Sequence, residues 1–132
     1  MRTSDQTITV SAAVITNAAG QLLLVRKRGT DAFMQPGGKP EPGEAPDATL
    51  IRELAEELGV AVSRQDLVSL GRFTAEAANE AGFTLLADVF RVDLGTQVPR
   101  PAAEIAELRW ATLAEAANLT IAPLAVQFFP TE

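Results

Sequence analysis

The chain contains, at residues 38–60, the stretch GKPEPGEAPDATLIRELAEELGV, in which a glycine-rich turn stands directly before a predicted helix. Between Pro46 and Leu58 there is no glycine, and the segment is rich in Ala, Leu, Glu and Arg, which all favour helices. Pro46 suits the first position of a helix, and Gly59 suits the residue just after its end. We therefore predict a helix from Pro46 to Leu58 and interpret the rest of the chain around it.

The predicted helix has one apolar face and one charged face. At about 100° per residue, the leucines and alanines share one side, while Arg52, Glu53, Glu56 and Glu57 gather on the other. An ordinary amphipathic surface helix would show the same pattern. However, the glutamates lie three and four residues apart, and like charges at this spacing destabilise a helix. Arg52 can pair with Glu56, but one guanidinium cannot neutralise three carboxylates.

A divalent cation would compensate for this repulsion. Mg²⁺ binds oxygen ligands, and it commonly takes one or two carboxylates from the protein and its other ligands from water and substrate phosphates. The glutamate face is therefore well suited to a metal ion that also holds a phosphate ester.

The same residues, in the same order, resemble the complete Nudix box. The matching positions are Gly38, Glu44, Arg52, Glu53, Leu54, Glu56, Glu57, Gly59 and Val60. The resemblance implies a Nudix fold, which is an α/β (α+β) fold built as an α/β/α sandwich with a central mixed β-sheet. It also implies hydrolysis of a nucleoside diphosphate linked to another moiety, with Mg²⁺ or Mn²⁺ as the cofactor.

The resemblance further implies roles for individual residues. Glu53, Glu56 and Glu57, together with the Gly38 carbonyl, would bind the metal, and Arg52 would orient Glu56. Glu44 would be a supporting residue.

Two positions outside the box complete this implied site. Glu104 stands six residues before Trp110 and resembles the fourth metal-binding carboxylate of MutT-type enzymes. Glu107 is the alternative, and an exposed loop glutamate would fit the same pattern. The general base would be Glu53 or Glu104. Lys39, directly after the two glycines, resembles a lysine that contacts phosphate in the MutT type.

Further candidate contacts follow from position in the chain. Arg26 and Arg28 end a predicted strand just before the glycine turn, so they are either a solvated strand end or a phosphate contact. Glu76, Asn79 and Glu80 form a reserve in a later loop that borders the substrate in some Nudix enzymes. Phe33 and Phe83 are either core residues or walls of a base-stacking pocket.

Composition limits the class of protein. The 132 residues are 47% hydrophobic and suffice for one domain with a real core, so we expect a single Nudix domain over residues 1–132. A net charge of -6 without a basic run argues against nucleic acid or an anionic membrane as a partner. The chain lacks cysteine and histidine, so acid–base and metal chemistry must rest on carboxylates.

The sequence has no signal peptide and no apolar run long enough to span a membrane, which predicts a cytoplasmic protein. The expected partner is a small nucleotide substrate. We expect a monomer or a homodimer, since dimers are common in the family that the box resembles.

Hydrophobic patterning predicts the remaining elements. Residues 7–16 and 21–28 are interpreted as a hairpin, and residues 29–43 as a loop. Residues 66–75 and 83–92 form a second predicted hairpin. A late strand at 104–111 is followed by a short helix at 112–118, with Thr112 and Glu115 as a capping box, and by an apolar tail at 121–129 that should dock on the core.

The resemblance favours nucleoside triphosphates, including oxidised ones, as substrates cleaved to a monophosphate and pyrophosphate. Glu76 stands where proline marks ADP-ribose hydrolases and tyrosine marks diadenosine polyphosphate hydrolases, and no coenzyme A motif is evident. The asparagine that reads 8-oxoguanine in the MutT type has no clear counterpart at 121–125. The alternative is a non-catalytic Nudix domain that senses a nucleotide or binds a partner, but such domains usually lose box glutamates.

Overall fold

The predicted helix is present, with the predicted bounds. In the computed structural model, which describes residues 6–130, α1 spans Pro46–Leu58. Gly59 ends it in the left-handed conformation, with φ at 68°, and its N–H donates to the Ala55 carbonyl oxygen. Leucines 50, 54 and 58 are fully buried. The apolar face predicted from the 3.6-residue period therefore anchors α1 to the rest of the fold.

The strands form two sheets. They are β1 (Thr7–Val14), β2 (Leu22–Lys27), β3 (Phe33–Met34), β4 (Gly37–Gly38), β5 (Leu67–Glu76), β6 (Thr84–Val92) and β7 (Ile105–Ala111). One sheet has the order β4-β1-β6-β5 and the other the order β3-β2-β7. β1 and β6 are parallel, whereas the other paired strands are antiparallel. The mixed sheet that the resemblance implied is confirmed.

The prediction that the first two strands pair as a hairpin was wrong. β1 pairs with β4 and β6, while β2 pairs with β3 and β7 in the other sheet. The two strands stay joined only at the turn, where Thr16 bridges Leu22 and the Leu23 N–H donates to the Ile15 carbonyl. Each strand has four consecutive buried residues, so both of its faces need packing partners, which a solvent-facing hairpin cannot supply. The second predicted hairpin is confirmed as β5 and β6.

Side-chain alternation along β1 and β2 creates two cores. Ala13 and Leu23 pack with the leucines of α1 in one cluster. Their neighbours Val14 and Leu24 pack in the other cluster, which includes Leu124 of the C-terminal tail. The tail contains α2 (Pro123–Val126) and docks on the core as predicted.

The capping box predicted ahead of this tail is also present. The Thr112 N–H donates to the Glu115 carboxylate, and the Glu115 N–H donates to the Thr112 hydroxyl oxygen. A 3-10 turn at Glu115–Asn118 follows the cap in place of a longer helix.

The segment before β7 is tied to the C-terminal end of α1. The N–H groups of Arg100 and Ala102 donate to the carbonyls of Leu58 and Glu57, which have no partner inside the helix. The Arg28 N–H donates to the Glu104 carbonyl at 2.8 Å. Glu104 is thereby held close to the ends of both α1 and β2. Across residues 6–130, no helix combines the length and the hydropathy that crossing a bilayer requires.

Candidate active site

The two glycines of β4 are required by their surroundings. Gly37 and Gly38 pair with Ala12 and Ser11 of β1. Gly37 has φ of 147°, and a Cβ there would collide with the Ser11 carbonyl oxygen. A Cβ on Gly38 would lie 2.5 Å from the Glu53 carboxylate. The absence of side chains at this pair therefore lets the backbone approach both β1 and the charged face of α1.

Glu57 is a buried carboxylate beside these glycines. Its side chain reaches the start of β4, where the Gly37 N–H donates to Oε1 at 3.1 Å. The residue is only 2% exposed. Burial raises the pKa of Glu57 to about 8, against the lowering effect of the Gly37 hydrogen bond, and the neighbouring Glu53 charge raises it further. A positive charge placed near the buried Glu57 carboxylate would stabilise its ionised form.

Glu53 occupies the space left open by Gly38. Its carboxylate is largely buried, and Arg52 Nη1 donates to Oε2 at 3.1 Å. Burial raises the pKa of Glu53, although the Arg52 charge opposes this effect. Two poorly solvated carboxylates thus lie one helical turn apart against the glycine pair.

Arg52 is held mainly by Glu44. Its Nε and Nη2 donate to the two Glu44 carboxylate oxygens at 2.8 and 2.9 Å, a bidentate arrangement. The Arg52 guanidinium holds the pKa of Glu44 at about 2. Arg52 Nη2 also donates to the Lys39 carbonyl at 3.0 Å, which ties the loop after β4 to α1. The sequence indicated Glu44 only as a supporting residue and did not identify this pairing.

The three box glutamates do not converge. Arg52 Nη1 donates to Glu56 at 3.3 Å, the pair expected from the sequence, and about half of the Glu56 side chain is exposed. Glu57 turns inward to Gly37 instead. Within residues 6–130, no three Asp, Glu, His or Cys side chains lie close enough together to hold a metal ion. Glu57 is held apart from Glu56 because Arg52 donates to Glu53 and Glu56, whereas the Gly37 N–H donates to Glu57.

The remaining pair, Glu53 and Glu57, still fits a hard divalent cation. Its donors are carboxylate oxygens, and two carboxylates is the number that Mg²⁺ commonly takes from a protein. Burial is the largest cause of the raised pKa of Glu57, so a cation beside this carboxylate would stabilise its ionised form. The set predicted from the resemblance, which also includes Gly38, Glu56 and Glu104, remains a prediction.

A cleft of about 370 Å³ opens beside these residues. Gly37, Gly38 and Glu53 line it, together with Lys39, which is exposed. Glu104 also lines it, as the resemblance implied, and lies 3.8 Å from Lys27 Nζ. The cleft therefore brings carboxylates and ammonium groups together around the glycine pair.

Glu107, the alternative to Glu104, is engaged elsewhere. It accepts hydrogen bonds from Arg26 at 3.3 Å and Arg109 at 2.6 Å, and both contacts lower its pKa. It does not line the cleft.

The cation that β2 contributes to the cleft is Lys27. Arg26 contacts Glu107 and the Thr30 carbonyl, and Arg28 Nη1 lies 3.5 Å from the Ala103 carbonyl. Neither arginine lines the cleft, so the geometry does not support their predicted contact with phosphate. Alternation explains the difference, because neighbouring residues of a strand point to opposite faces. The charge run was recognised in the sequence, but the face of each residue depends on how the sheet pairs.

The loop held in reserve closes another side of the cleft. Glu76, Asn79 and Glu80 all line it, as expected for a loop that borders the substrate. Phe33 is a core residue with the Arg109 guanidinium 5.3 Å from its ring centroid. Phe83 is partly exposed and, like Phe33, does not line the cleft. The structure therefore places neither phenylalanine at a base-stacking wall.

Two curated relatives match part of the chain. An 8-oxo-dGTP diphosphatase from Haemophilus influenzae is 37% identical over 70 residues, which are 50% of this chain and 52% of the relative. An RNA pyrophosphohydrolase from Pseudomonas fluorescens is 43% identical over 54 residues, which are 41% of this chain and 33% of the relative. The matches thus span about half or less of each relative's length.

Comparison of whole folds extends this similarity. A structure described as a NUDIX hydrolase from Nitrosomonas europaea has a TM-score of 0.71 and 28% identity, and the match covers 92% of this chain and 84% of the other. The NUDIX domain family model matches residues 5–131. Since that match covers nearly the whole sequence, and since Gly38 and Glu53 of the box line the cleft, this chain belongs to the NUDIX domain family.

Proposed function

We propose that this chain is a metal-dependent hydrolase that cleaves the pyrophosphate linkage of a nucleoside triphosphate, releasing a monophosphate and pyrophosphate. One observation carries the proposal. Two carboxylates, the largely buried Glu53 and the buried Glu57, stand against the Gly37–Gly38 backbone, and Glu53 lines a cleft that also presents Lys27 and Lys39. Carboxylates alone would repel a polyphosphate, whereas carboxylates that hold a cation beside two ammonium groups would attract it.

Each residue has a defined part in this proposal. When bound, Mg²⁺ or Mn²⁺ supplies positive charge to the phosphates and lowers the pKa of a water ligand. Glu53 and Glu57 hold the cation, with Gly38 and Glu104 as further proposed ligands. Lys27 and Lys39 hold the phosphate oxygens through charge-assisted hydrogen bonds. Glu53 or Glu104 accepts the proton of the attacking water, and oxygen attack at phosphorus breaks the bridging P–O bond.

Arg52 acts in this scheme without touching the substrate. Its bonds to Glu44 and to the Lys39 carbonyl keep the loop after β4 against α1. The same guanidinium limits how far Glu53 and Glu56 can turn. Arg52 is therefore a positioning residue for the glutamates and for the lysine loop.

The relatives support the reaction class, since their names are those of a diphosphatase and a pyrophosphohydrolase. The net charge of -6 favours a small nucleotide over a nucleic acid as the substrate. The proposal that the substrates include oxidised nucleoside triphosphates rests on the resemblance to the MutT type.

Mg²⁺-dependent phosphate release from a panel of nucleoside triphosphates tests the proposal. We expect turnover by the wild type and a loss of about a hundredfold or more in Glu57→Gln, because the metal contributes several kcal/mol to transition-state stabilisation. Glu107→Gln, which changes a carboxylate outside the cleft, is the matched control and should retain activity. Tight binding without turnover of any panel member would instead support a nucleotide-sensing domain.

A further inference from the structure

Gln35 is a buried side chain with one unpaired group. It lies between β3 and β4 and is 7% exposed. Its Nε2 donates to the Ala13 carbonyl at 3.0 Å. Its Oε1 has no hydrogen-bond partner and is the only buried side-chain polar atom in this state among residues 6–130. Because a buried acceptor without a donor destabilises a fold, such a group requires an explanation.

The orientation of the Gln35 amide is determined by β1. Exchanging its oxygen and nitrogen would place Oε1 against the Ala13 carbonyl oxygen, so two acceptors would face each other. The Ala13 N–H is also used, since it donates to the Pro36 carbonyl at 2.9 Å. Ala13 therefore offers no donor to Oε1, and the acceptor stays on the side of the amide away from β1.

Gln35 also lines the cleft of the proposed active site. Its neighbours there include Met34 and Ala122, and the Ala122 N–H donates to the Phe33 carbonyl at 2.8 Å, which brings the tail beside this strand. These neighbours are apolar, in contrast to the lysines and glutamates around Gly38. A ligand held at Gly38 by its phosphates would place an uncharged portion against the apolar part of the cleft.

We infer that Gln35 is a specificity-determining residue whose Oε1 accepts a hydrogen bond from an N–H group of the substrate's nucleobase. The inference rests on the proposed function. Phosphate oxygens at neutral pH have no proton to donate, so the donor belongs to the base or the sugar, and the apolar neighbours favour the flat base. The base approaches Gln35 from the cleft, which Gln35 lines.

The test compares nucleotides that differ by one N–H-bearing group. Among the purines, purine riboside triphosphate is compared with ATP and with ITP, and ITP is compared with GTP. Among the pyrimidines, pyrimidin-2-one riboside triphosphate is compared with CTP and with UTP. For at least one pair, the wild type should show a kcat/KM ratio of about tenfold or more in favour of the donor-bearing nucleotide. Gln35→Met should bring that ratio to about one. Gln35→Asn, which withdraws the amide by one methylene, should also reduce it.

The ratio within a pair does not depend on the amount of folded enzyme, so it separates recognition from damage to the fold. A uniform loss of kcat/KM with an unchanged ratio would show that Gln35 only braces Ala13, and the inference would be rejected. Wild-type ratios near one for every pair would reject it as well. A Gln35→Met effect confined to GTP against dGTP would assign the acceptor to the sugar and overturn the assignment to the base.

Failure of the proposed function gives a different result. If the wild type turns over no nucleotide, the proposed hydrolysis is rejected. The dissociation constants of the same nucleotide pairs are then measured by calorimetry, and their ratios are judged by the same criteria as the kcat/KM ratios. Gln21→Met is the matched control, because Gln21 lies outside the cleft. It should leave every ratio unchanged.

Discussion

Replacing Glu57 with glutamine should stabilise the metal-free protein at high pH while removing its function. The pKa of Glu57 is raised from 4.5 to about 8, chiefly by burial. At about 1.4 kcal/mol for each factor of ten in the equilibrium constant, ionised Glu57 costs the folded chain on the order of 5 kcal/mol. Glutamine has nearly the same shape, carries no charge, and keeps an Oε1 that can accept from the Gly37 N–H.

The direction of the pH dependence follows from proton binding. Between pH 4.5 and about 8, folded Glu57 keeps its proton, whereas the unfolded chain has lost it. The free energy of unfolding therefore falls as pH rises through this window, and the loss is complete above about 8. The pKa of Glu53 is raised as well, so its contribution has the same sign. The chain has no histidine, which leaves few other groups that titrate in this range.

Urea unfolding from pH 5 to pH 9 in the presence of a chelator measures the effect. We expect the wild type and Glu57→Gln to be similarly stable near pH 5, and the variant to be more stable by a few kcal/mol near pH 9. Glu56→Gln is the control, because half of the Glu56 side chain is exposed. A wild-type stability that does not change between pH 5 and pH 8, or a variant that is less stable at pH 9, would refute this reasoning.

Three further predictions concern the metal, the phosphate contact and the support of the loop. In thermal denaturation, Mg²⁺ should raise the melting temperature of the wild type more at pH 8 than at pH 5, since the cation competes with the Glu57 proton. The Glu57→Gln variant should lose most of this increase in melting temperature. Lys27→Met should raise KM roughly tenfold through the loss of a charge-assisted contact with phosphate, whereas Arg28→Met should leave KM unchanged. Steady-state kinetics with the nucleoside triphosphate that the wild type hydrolyses fastest measures the difference. Because the pKa of Glu44 is lowered to about 2, its contribution to stability is present above pH 4.5 and lost as pH falls toward 2. Acid unfolding followed by circular dichroism should therefore show a shallower loss of stability in this range for Glu44→Gln, which cannot form the charged pair with Arg52.

The features that the sequence predicted correctly depend mainly on neighbours along the chain. The bounds of α1 follow from residue propensities, Pro46 and the left-handed Gly59. The capping box at Thr112 and Glu115 needs only residues three apart. The pairing of β5 with β6 joins consecutive strands across one loop. In each case the contacts are local, so the pattern of residues contains the information needed.

The candidate site depended on more distant contacts. The sequence placed the candidate site at the glycine pair and the glutamate helix, but it did not identify Lys27 as the strand-end cation that faces the cleft, because the orientation of Lys27 follows from the pairing of β2 with β7. It also did not show that Glu57 turns inward, since that depends on a hydrogen bond from the Gly37 N–H, which lies 20 residues away in the chain. The unpaired acceptor of Gln35 exists only because its amide meets Ala13, which lies 22 residues away.

By itself, the sequence determined the helix, its glycine turn and the family to which they belong, because these rest on local propensity and on the order of residues. Only the tertiary structure decided which side chains share the cleft and which are drawn away from it. The physical reason is that burial, hydrogen-bond competition and the facing of side chains are properties of strands and loops brought together from distant parts of the chain.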